Sequence, residues 1–421
     1  MEELLHYVWK YKLFVLHSLE TSAHQKIEVI DTGIHNKDAG PDFFNAKIKI
    51  DSTVWVGNVE IHLKSSDWYK HNHHTDKSYD STILHVVGDI DEQVFTTTGV
   101  EIPQLKLPIP NDIEEKYRFL KEIDYQPKCY SIIDKLDKLT INSWLSALQI
   151  ERLESKCLRI QELLKSKKYL WQDILFITLA RNFGFGLNGD TFELWAKKLP
   201  FRALDKHRDS LFQVEAIMFG LSGLLEAGSS DEYTQTLQSE FYYLKSKFSL
   251  EAVDYPWKLA RIRPGSFPHI RIAQLAYYYY SNFNFIEKCL LARGIKDLYK
   301  ILDFGVGEYW MLHYSFNKQH NNRNQRKVTQ KTKDLILINT VIPFMYAYGK
   351  HTCNEVIVDQ ALTLFSEIKA ENNYISRLWQ SVGIEVNSAA DSQALIQLQK
   401  EYCEKRKCIY CRFGYQYLVK Y

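Results

Sequence analysis

The chain has no apolar run approaching the roughly 18–20 residues needed to span a bilayer. Its opening, Met1-Glu2-Glu3-Leu4-Leu5-His6, lacks the basic segment of a secretory signal. Neither sign of charge is in excess, since 53 Lys and Arg face 51 Asp and Glu for a net +2. That balance excludes recruitment of nucleic acid by global charge, so any such contact must come from local patches. Cysteine is sparse and odd in number, seven in 421 residues. Together these features lead us to expect a cytoplasmic, reducing setting with no membrane partner, where clustered Cys point to metal before disulfides. No internal repeat stands out.

What is present is an ordinary globular composition, 45% hydrophobic and 25% charged. At roughly 100–200 residues per domain, the length predicts two or three domains. Aromatic residues reach 14%, which suits large cores before base-stacking surfaces. Leu5, Val8, Trp9, Leu13 and Leu16 recur at helical spacing and predict a helix over 2–18. Strand-like runs follow at 26–31, 43–51, 53–64 and 82–87. In the second run Phe44, Ala46, Ile48 and Ile50 share a face, opposite Asn45, Lys47 and Lys49. A turn at Ser52 makes the second and third runs a hairpin. Ile83–Val87 is nearly all apolar, as expected of a central strand covered on both faces. A further strand pair is expected at 93–97 and 101–107. From about residue 111 the periodicity turns helical, with best candidates at 143–165, 169–181, 211–225, 233–248, 270–282, 335–347 and 388–402. Residues 317–334 read as a long polar loop. Gly184–Gly189 fits a dinucleotide fingerprint by spacing, but no βαβ unit surrounds it and a loop between helices explains it better.

The residues that carry chemistry run Gly40-Pro41-Asp42-Phe43, then Val59-Glu60-Ile61-His62-Leu63-Lys64. Glu60, His62 and Lys64 lie at period two and share a face. The hairpin brings Asp42 beside Glu60, and two carboxylates on one edge suit Mg²⁺ or Mn²⁺. Such a metal polarises a phosphoryl oxygen and acidifies a water, which His62 or Lys64 could orient. Each carboxylate alone reads more plainly as a turn cap or a solvated strand residue, so their order carries the functional reading. Histidine clusters in the same region, nine of 14 falling at 6, 17, 24, 35, 62, 71, 73, 74 and 85. His71, His73 and His74 could contact phosphate, relay protons or bind a transition metal, or could be incidental on a polar loop. His85, in an apolar strand, reads as a core histidine before a ligand.

On Pro41-Asp42 and Glu60-Ile61-His62, the N-terminal part resembles the PD-(D/E)XK nuclease superfamily. The resemblance implies an α+β fold with a restriction-endonuclease-like α-β-β-β-α-β core at 1–110, followed by a large all-α domain at 111–421. It also implies hydrolysis of phosphodiester bonds with Asp42 and Glu60 holding the metal, and nucleic acid, DNA foremost, as the partner. His62 stands where that superfamily usually has Lys, and Lys64 is a substitute one pleat further along. Glu3 would supply an additional acidic residue, with Glu2 as its competitor. Many such nucleases pair to cut both strands, so a homodimer stays open. Nearly the whole chain also resembles a bacterial family labelled domain of unknown function 2851. The stretches that carry this are 36–43, 55–62, Ser66-Asp67-Trp68, 83–87, Tyr402-Cys403 and 408–411. That label carries no activity. Two rivals remain: a catalytically silent nucleic-acid-binding or scaffold protein, which His62 favours, and a metallohydrolase using His71, His73, His74 and Asp76 with zinc or manganese.

Cys408 and Cys411 have the spacing of a metal knuckle, and Cys403 could reach the same ion. Cys353, His351 and Cys129 are candidates for the fourth ligand, and three reduced cysteines near a terminus are the plain alternative. Zinc is the simplest occupant. The superfamily resemblance adds an iron–sulfur cluster as a second option. Basic residues crowd 258–271, where Arg261, Arg263 and Arg271 stand beside Phe267 and His269. They also crowd the polar loop, with Lys318, Arg323, Arg326, Lys327, Lys331 and Lys333. Both could track a nucleic-acid backbone, although a solvated face is the commoner meaning of such runs.

Overall fold

The computed structural model describes residues 1–14, 19–36, 38–225, 231–251 and 255–421. Leu16, His17 and Lys37, which the sequence reading used, lie outside the described residues. The fold is mixed α/β, with one small mixed sheet and a helical C-terminal region. The chain forms two compact units. The first holds Met1–Trp144, Ser381–Ile384 and Leu398–Tyr421, and the second holds Leu145–Gln380 and Glu385–Gln397. A boundary at 110 is therefore not where the contacts divide. Ile113, Tyr117, Leu120, Ile409 and Leu418 share one core with Leu4, Leu5, Phe43 and Ile61.

The first unit opens on α1 (Glu2–Lys10), whose Leu4, Leu5, Val8 and Trp9 are buried. The helix stops short of the predicted residue 18. Lys12 turns to a φ of 51°, and its Nζ donates to the carbonyls of Val29 and Ile30. Strands β1 (Ile27–Asp31), β2 (Ile34–His35), β3 (Phe43–Ile50), β4 (Thr53–Lys64), β5 (Thr82–Asp89) and β6 (Gln104–Lys106) make the sheet. Its order is β1-β3-β4-β5-β6, with β2 also paired to β3. The β3–β4 hairpin is antiparallel, while β5 runs parallel to both β4 and β6. The expected strand pair around 93–107 reduces to one bridge, Phe95 to Glu101, plus β6.

One irregularity in β3 decides which side chains meet. Asn45 adopts a φ of 55°, and the register slips there: Ala46 faces Gly57, but Phe43 faces Val59. Such a bulge inverts the alternation beyond it. Phe43, not Phe44, therefore joins Ala46, Ile48 and Ile50 in the core. Asp42 is turned to the opposite side, beside Glu60. Between β4 and β5 the chain forms α2 (Asp67–Lys70) and two short 3₁₀ turns, His73–Thr75 and Lys77–Tyr79. Trp68 and Tyr79 bury themselves with Val94 and Ile102 in a second small core. This anchors the segment that carries His71 and His73 against β4.

The second unit is helical, built around helices such as Trp171–Phe183, Leu211–Ser222, Pro268–Ser281 and Ile342–His351. Gly184–Gly189 links two helices there. No helix among the described residues is long and apolar enough to cross a membrane.

Candidate active site

Asp42 and Glu60 are clamped together through main-chain hydrogen bonds. The Asp42 N–H donates to Glu60 Oε2 at 3.1 Å, and the Ile61 N–H donates to Asp42 Oδ2 at 2.9 Å. Glu60 is 4% exposed and His62 2%, because β4 is covered by β5 on one side and by residues 67–79 above. Ile61 alternates into the main core and so leaves Glu60 and His62 on the site face.

Four histidines converge on this pair. His62 shares a hydrogen bond through Nδ1 with His85 Nε2 at 2.9 Å, and through Nε2 with His71 Nδ1 at 3.0 Å. His73 stacks its ring on Tyr79 at 3.8 Å and lies nearly parallel to His62. His73 Nε2 sits 3.2 Å from Glu60 Oε1, and His62 Nε2 sits 3.5 Å from the same oxygen. On the other flank, His6 of α1 places Nε2 3.5 Å from Asp42 Oδ2. One donor nitrogen from each of His62, His71 and His73 falls within 4.8 Å of the others, a spacing that could hold a metal ion. His71 is exposed and gives that group an opening to solvent.

Two details make this look like a set of ligands rather than a satisfied network. His73 Nε2 and His6 Nε2 are buried yet make no hydrogen bond, although each has a carboxylate oxygen within 3.5 Å. Both nitrogens approach a carboxylate without bonding to it. Buried polar atoms left unpaired in this way cost stability unless a further group completes them.

The electrostatics agree. Burial first, then the neighbouring Asp42, pushes the Glu60 carboxyl up to about 9. Burial also raises Asp42, against the lowering effect of His6. Burial and the surrounding imidazoles pull His62 down to about 2, and burial takes His85 down to about 3. At neutral pH His62 and His85 are therefore neutral and Glu60 keeps its proton. Neutral imidazole is the form that binds metal, and a bound cation would displace the carboxyl proton. The set mixes nitrogen and oxygen donors, which suits first-row transition ions better than Mg²⁺.

A family model described as protein of unknown function (DUF2851) matches residues 2–374. The chain belongs to that family. No curated protein and no solved structure matches it. The part matched by DUF2851 contains every residue of the cluster just described.

The structure disperses several other residues singled out in the sequence. Lys64 is exposed at the end of β4, where it pairs in register with Asp89 and its charge acts on Asp89 and Asp91. Glu3 turns to α3 (Asn111–Glu122), where it accepts from Tyr117 and pairs with Lys121 at 3.3 Å. Its competitor Glu2 is the acid whose charge reaches Asp42 and Glu60. Asp76 caps the turn at Ser78, and His74 packs against Tyr69. These two stand apart from the set His62, His71 and His73.

In the second unit Arg261 and Arg263 are exposed, but Arg271 is buried. The Arg271 guanidinium lies over Phe183 and Phe185 and donates to Gln274 and Ser266, so it is spent on packing and is not offered to phosphate. The stretch predicted as a polar loop is likewise partly internal. Arg326 is buried over Tyr314, and Lys333 pairs with Asp303 at 2.9 Å.

Sequence reasoning missed the roles of His6 and Tyr79 and read His85 only as core. The signal for His6 was its position four residues after Glu2 on one helix face. Nothing in the sequence marked Tyr79.

Proposed function

We propose that this chain is a metal-dependent hydrolase of phosphodiester bonds. Its site would be Asp42 and Glu60 with His62, His71 and His73, and nucleic acid its substrate class. One observation carries the reading: Glu60 Oε1 lies within 3.5 Å of two imidazole nitrogens that stand beside a third. Pro41-Asp42 and Glu60-Ile61-His62, in the order expected of the PD-(D/E)XK nucleases, support the choice of phosphodiester bonds. A bound Mn²⁺ or related ion would polarise a phosphoryl oxygen and acidify a water. Asp42 and Glu60 would supply the anionic ligands, and the three histidines nitrogen donors. His62 cannot replace the superfamily lysine as a cation, because burial holds it neutral. His6, beside Asp42 at the rim, is placed to carry a proton.

A second reading, a nucleic-acid binder without catalysis, is favoured by one observation: Lys64 is exposed at the end of β4, opposite Asp89, and does not join the site. A single assay separates the two. Linear, circular, single- and double-stranded DNA and RNA are incubated with Mn²⁺ or Mg²⁺, beside folded Glu60→Gln protein. Mn²⁺-dependent cleavage lost in the variant is the expected result. Retention of nucleic acid in a gel with no cleavage by either protein selects the binder. Cleavage unchanged by Glu60→Gln removes the site from the reaction.

A further inference from the structure

The cysteines singled out in the sequence give no second metal centre. Cys403, Cys408 and Cys411 are free thiols of the first unit, and among the described residues the ligand atoms at metal-holding spacing are those of His62, His71 and His73. A site of another kind lies wholly within the second unit. There a cavity of about 330 Å³ opens between the helices Lys138–Lys165, Trp171–Phe183 and Gly189–Lys198 and the π-turn Leu337–Val341. Its wall carries Arg152, Lys156, Arg159 and Arg181 but one carboxylate, Glu193. Positions 152, 156 and 159 are four and three residues apart, which puts the first three cations on one helix face.

The cations outnumber what holds them. Glu193 is buried and shared: its Oε2 accepts from Arg159 and from Arg181 at 2.7 Å each, and its Oε1 pairs with Lys197. One carboxylate thus answers three cations. Arg181 has a second partner in Asp190, which is 82% exposed and therefore weak in its hold. Arg152 donates from Nε to Gln393 Oε1 at 3.0 Å. Lys156 pairs with no carboxylate among the described residues. Its Nζ donates to the Ile338 carbonyl at 3.1 Å and to Asn339 Oδ1 at 2.9 Å, both neutral. Burial pushes the Lys156 ammonium below the usual lysine range, with the charge of Arg152 adding to that push and Glu371 opposing it. With Lys197, Asp190 and Glu371 included, five cations stand against three carboxylates. Like charges brought together away from bulk water are costly until an anion joins them.

The π-turn fixes the inner end of this group. Its extra residue re-aims Asn339, whose carbonyl accepts from Asn182 Nδ2 at 2.8 Å and whose Nδ2 donates to the Leu335 carbonyl at 2.9 Å. Asn339 Oδ1 is thereby left to hold Lys156. Such turns interrupt a helix and occur mostly at functional sites.

We propose that this cavity binds a phosphorylated small molecule through its phosphate group. Guanidinium forks match phosphate oxygens in pairs, and the Lys156 ammonium adds a point charge. Among the described residues no aromatic side chain lines the cavity, so base stacking has no platform there. That favours a compact phosphate ester or diphosphate over a nucleic-acid strand. The volume falls at the low end of the roughly 300–1,000 Å³ of small-molecule sites. The cavity shares no residue with Asp42, Glu60 and their histidines, and the inference stands independently of the hydrolase reading.

The test is calorimetric titration of the full chain with inorganic phosphate, pyrophosphate, ribose 5-phosphate and a short single-stranded oligonucleotide. A chelator is present throughout, so that no ion in the first unit can hold phosphate. The expected result is one pyrophosphate or ribose 5-phosphate per chain, bound about tenfold or more weakly by Lys156→Met and Arg159→Gln and within about twofold by Lys300→Gln. Tighter binding of ribose 5-phosphate than of pyrophosphate assigns an ester, and the reverse order a diphosphate. Lys156→Arg, which keeps the charge, should keep most of the affinity. Variants that fold poorly are bypassed in the wild type, where saturating ligand should protect Lys156 from amine acetylation, read by peptide mass spectrometry. No binding of either phosphate compound overturns the proposal, as does binding that Lys156→Met and Arg159→Gln leave unchanged. Preference for the oligonucleotide with the same dependence on Lys156 and Arg159 overturns the small-molecule assignment in favour of a strand.

Discussion

Asp42 and Glu60 are held side by side by two main-chain donors, with Glu60 Oε2 accepting from the Asp42 N–H and Asp42 Oδ2 accepting from the N–H of Ile61, the residue after Glu60. Each carboxylate thus gives one oxygen to fixing the other. Glu60 Oε1 remains, facing His62 and His73. Glu60→Gln preserves the accepting oxygen and removes the anion. The variant is expected to fold with little change in thermal stability but to bind Mn²⁺ at least about 100-fold more weakly by calorimetric titration. Equal affinity in the two proteins would show that the ion, if bound, lies elsewhere.

The same site sets a pH dependence with opposite signs on its two sides. Burial takes His62 down to about 2 and His85 to about 3 in the folded chain. Their unfolded counterparts titrate near 6.5. The stability they contribute is complete above that value and is lost as pH falls toward 3. Glu60 is raised from 4.5 to about 9, so its contribution is complete below 4.5 and is lost as pH rises through 9. Thermal unfolding of metal-free protein should therefore weaken toward both ends. His62→Asn is expected to flatten the acid limb and Glu60→Gln the alkaline limb. Apparent Mn²⁺ affinity should climb between pH 6 and 8, by up to roughly tenfold per unit for one proton displaced. An affinity flat across that range argues that Glu60 keeps its proton and is no ligand.

Three acidic and basic neighbours should separate by position. Glu2 acts on both site carboxylates, while Glu3 is engaged with Tyr117 and Lys121, and Lys64 is exposed opposite Asp89 in the sheet. Glu3→Gln and Lys64→Ala are expected to leave Mn²⁺ affinity within about twofold, as exposed charges contribute little. Glu2→Gln removes one of the charges that raise Asp42 and Glu60, so the alkaline loss of thermal stability in metal-free protein should be shallower than in wild type. A loss of binding in Lys64→Ala would restore that residue to the site.

The parts legible in sequence were those set by simple periodicity. The alternation in β3 and β4 and the apolar run of β5 marked the strands, and the order of Asp42 and Glu60 marked two residues that the fold brings together. The bulge at Asn45 was not legible, because a single residue at positive φ leaves no periodic trace. A regular strand would have kept Phe44 in the core and turned Asp42 away from Glu60. Arg271 looked like a phosphate contact because sequence spacing says nothing of the aromatic rings that cover it. The C-terminal return was also hidden. Ile409 and Leu418 join the core of α1 and the sheet from the far end of the chain, a long-range contact that no local window contains.

Gly57 offers the last test, since it links the sheet's packing to the site. It sits opposite Ala46 on β4, three residues before Glu60. A Cβ there would lie 2.4 Å from Ile83 Cγ2 and 2.8 Å from the Ser81 carbonyl oxygen. The main-chain contact cannot be relieved by a side-chain rotation, so Gly57→Ala must push β4 away from the start of β5. The Asn58–Thr82 pairing and the slip that follows it would move first. The expected cost is about 1–3 kcal/mol, read as a lower melting temperature. Because His85 on β5 holds His62 on β4 at 2.9 Å, the same shift should weaken Mn²⁺ binding although no ligand has changed. A lower melting temperature with unaltered Mn²⁺ affinity would show that the histidine set is positioned by residues 67–79 alone and not by the pairing of β4 with β5.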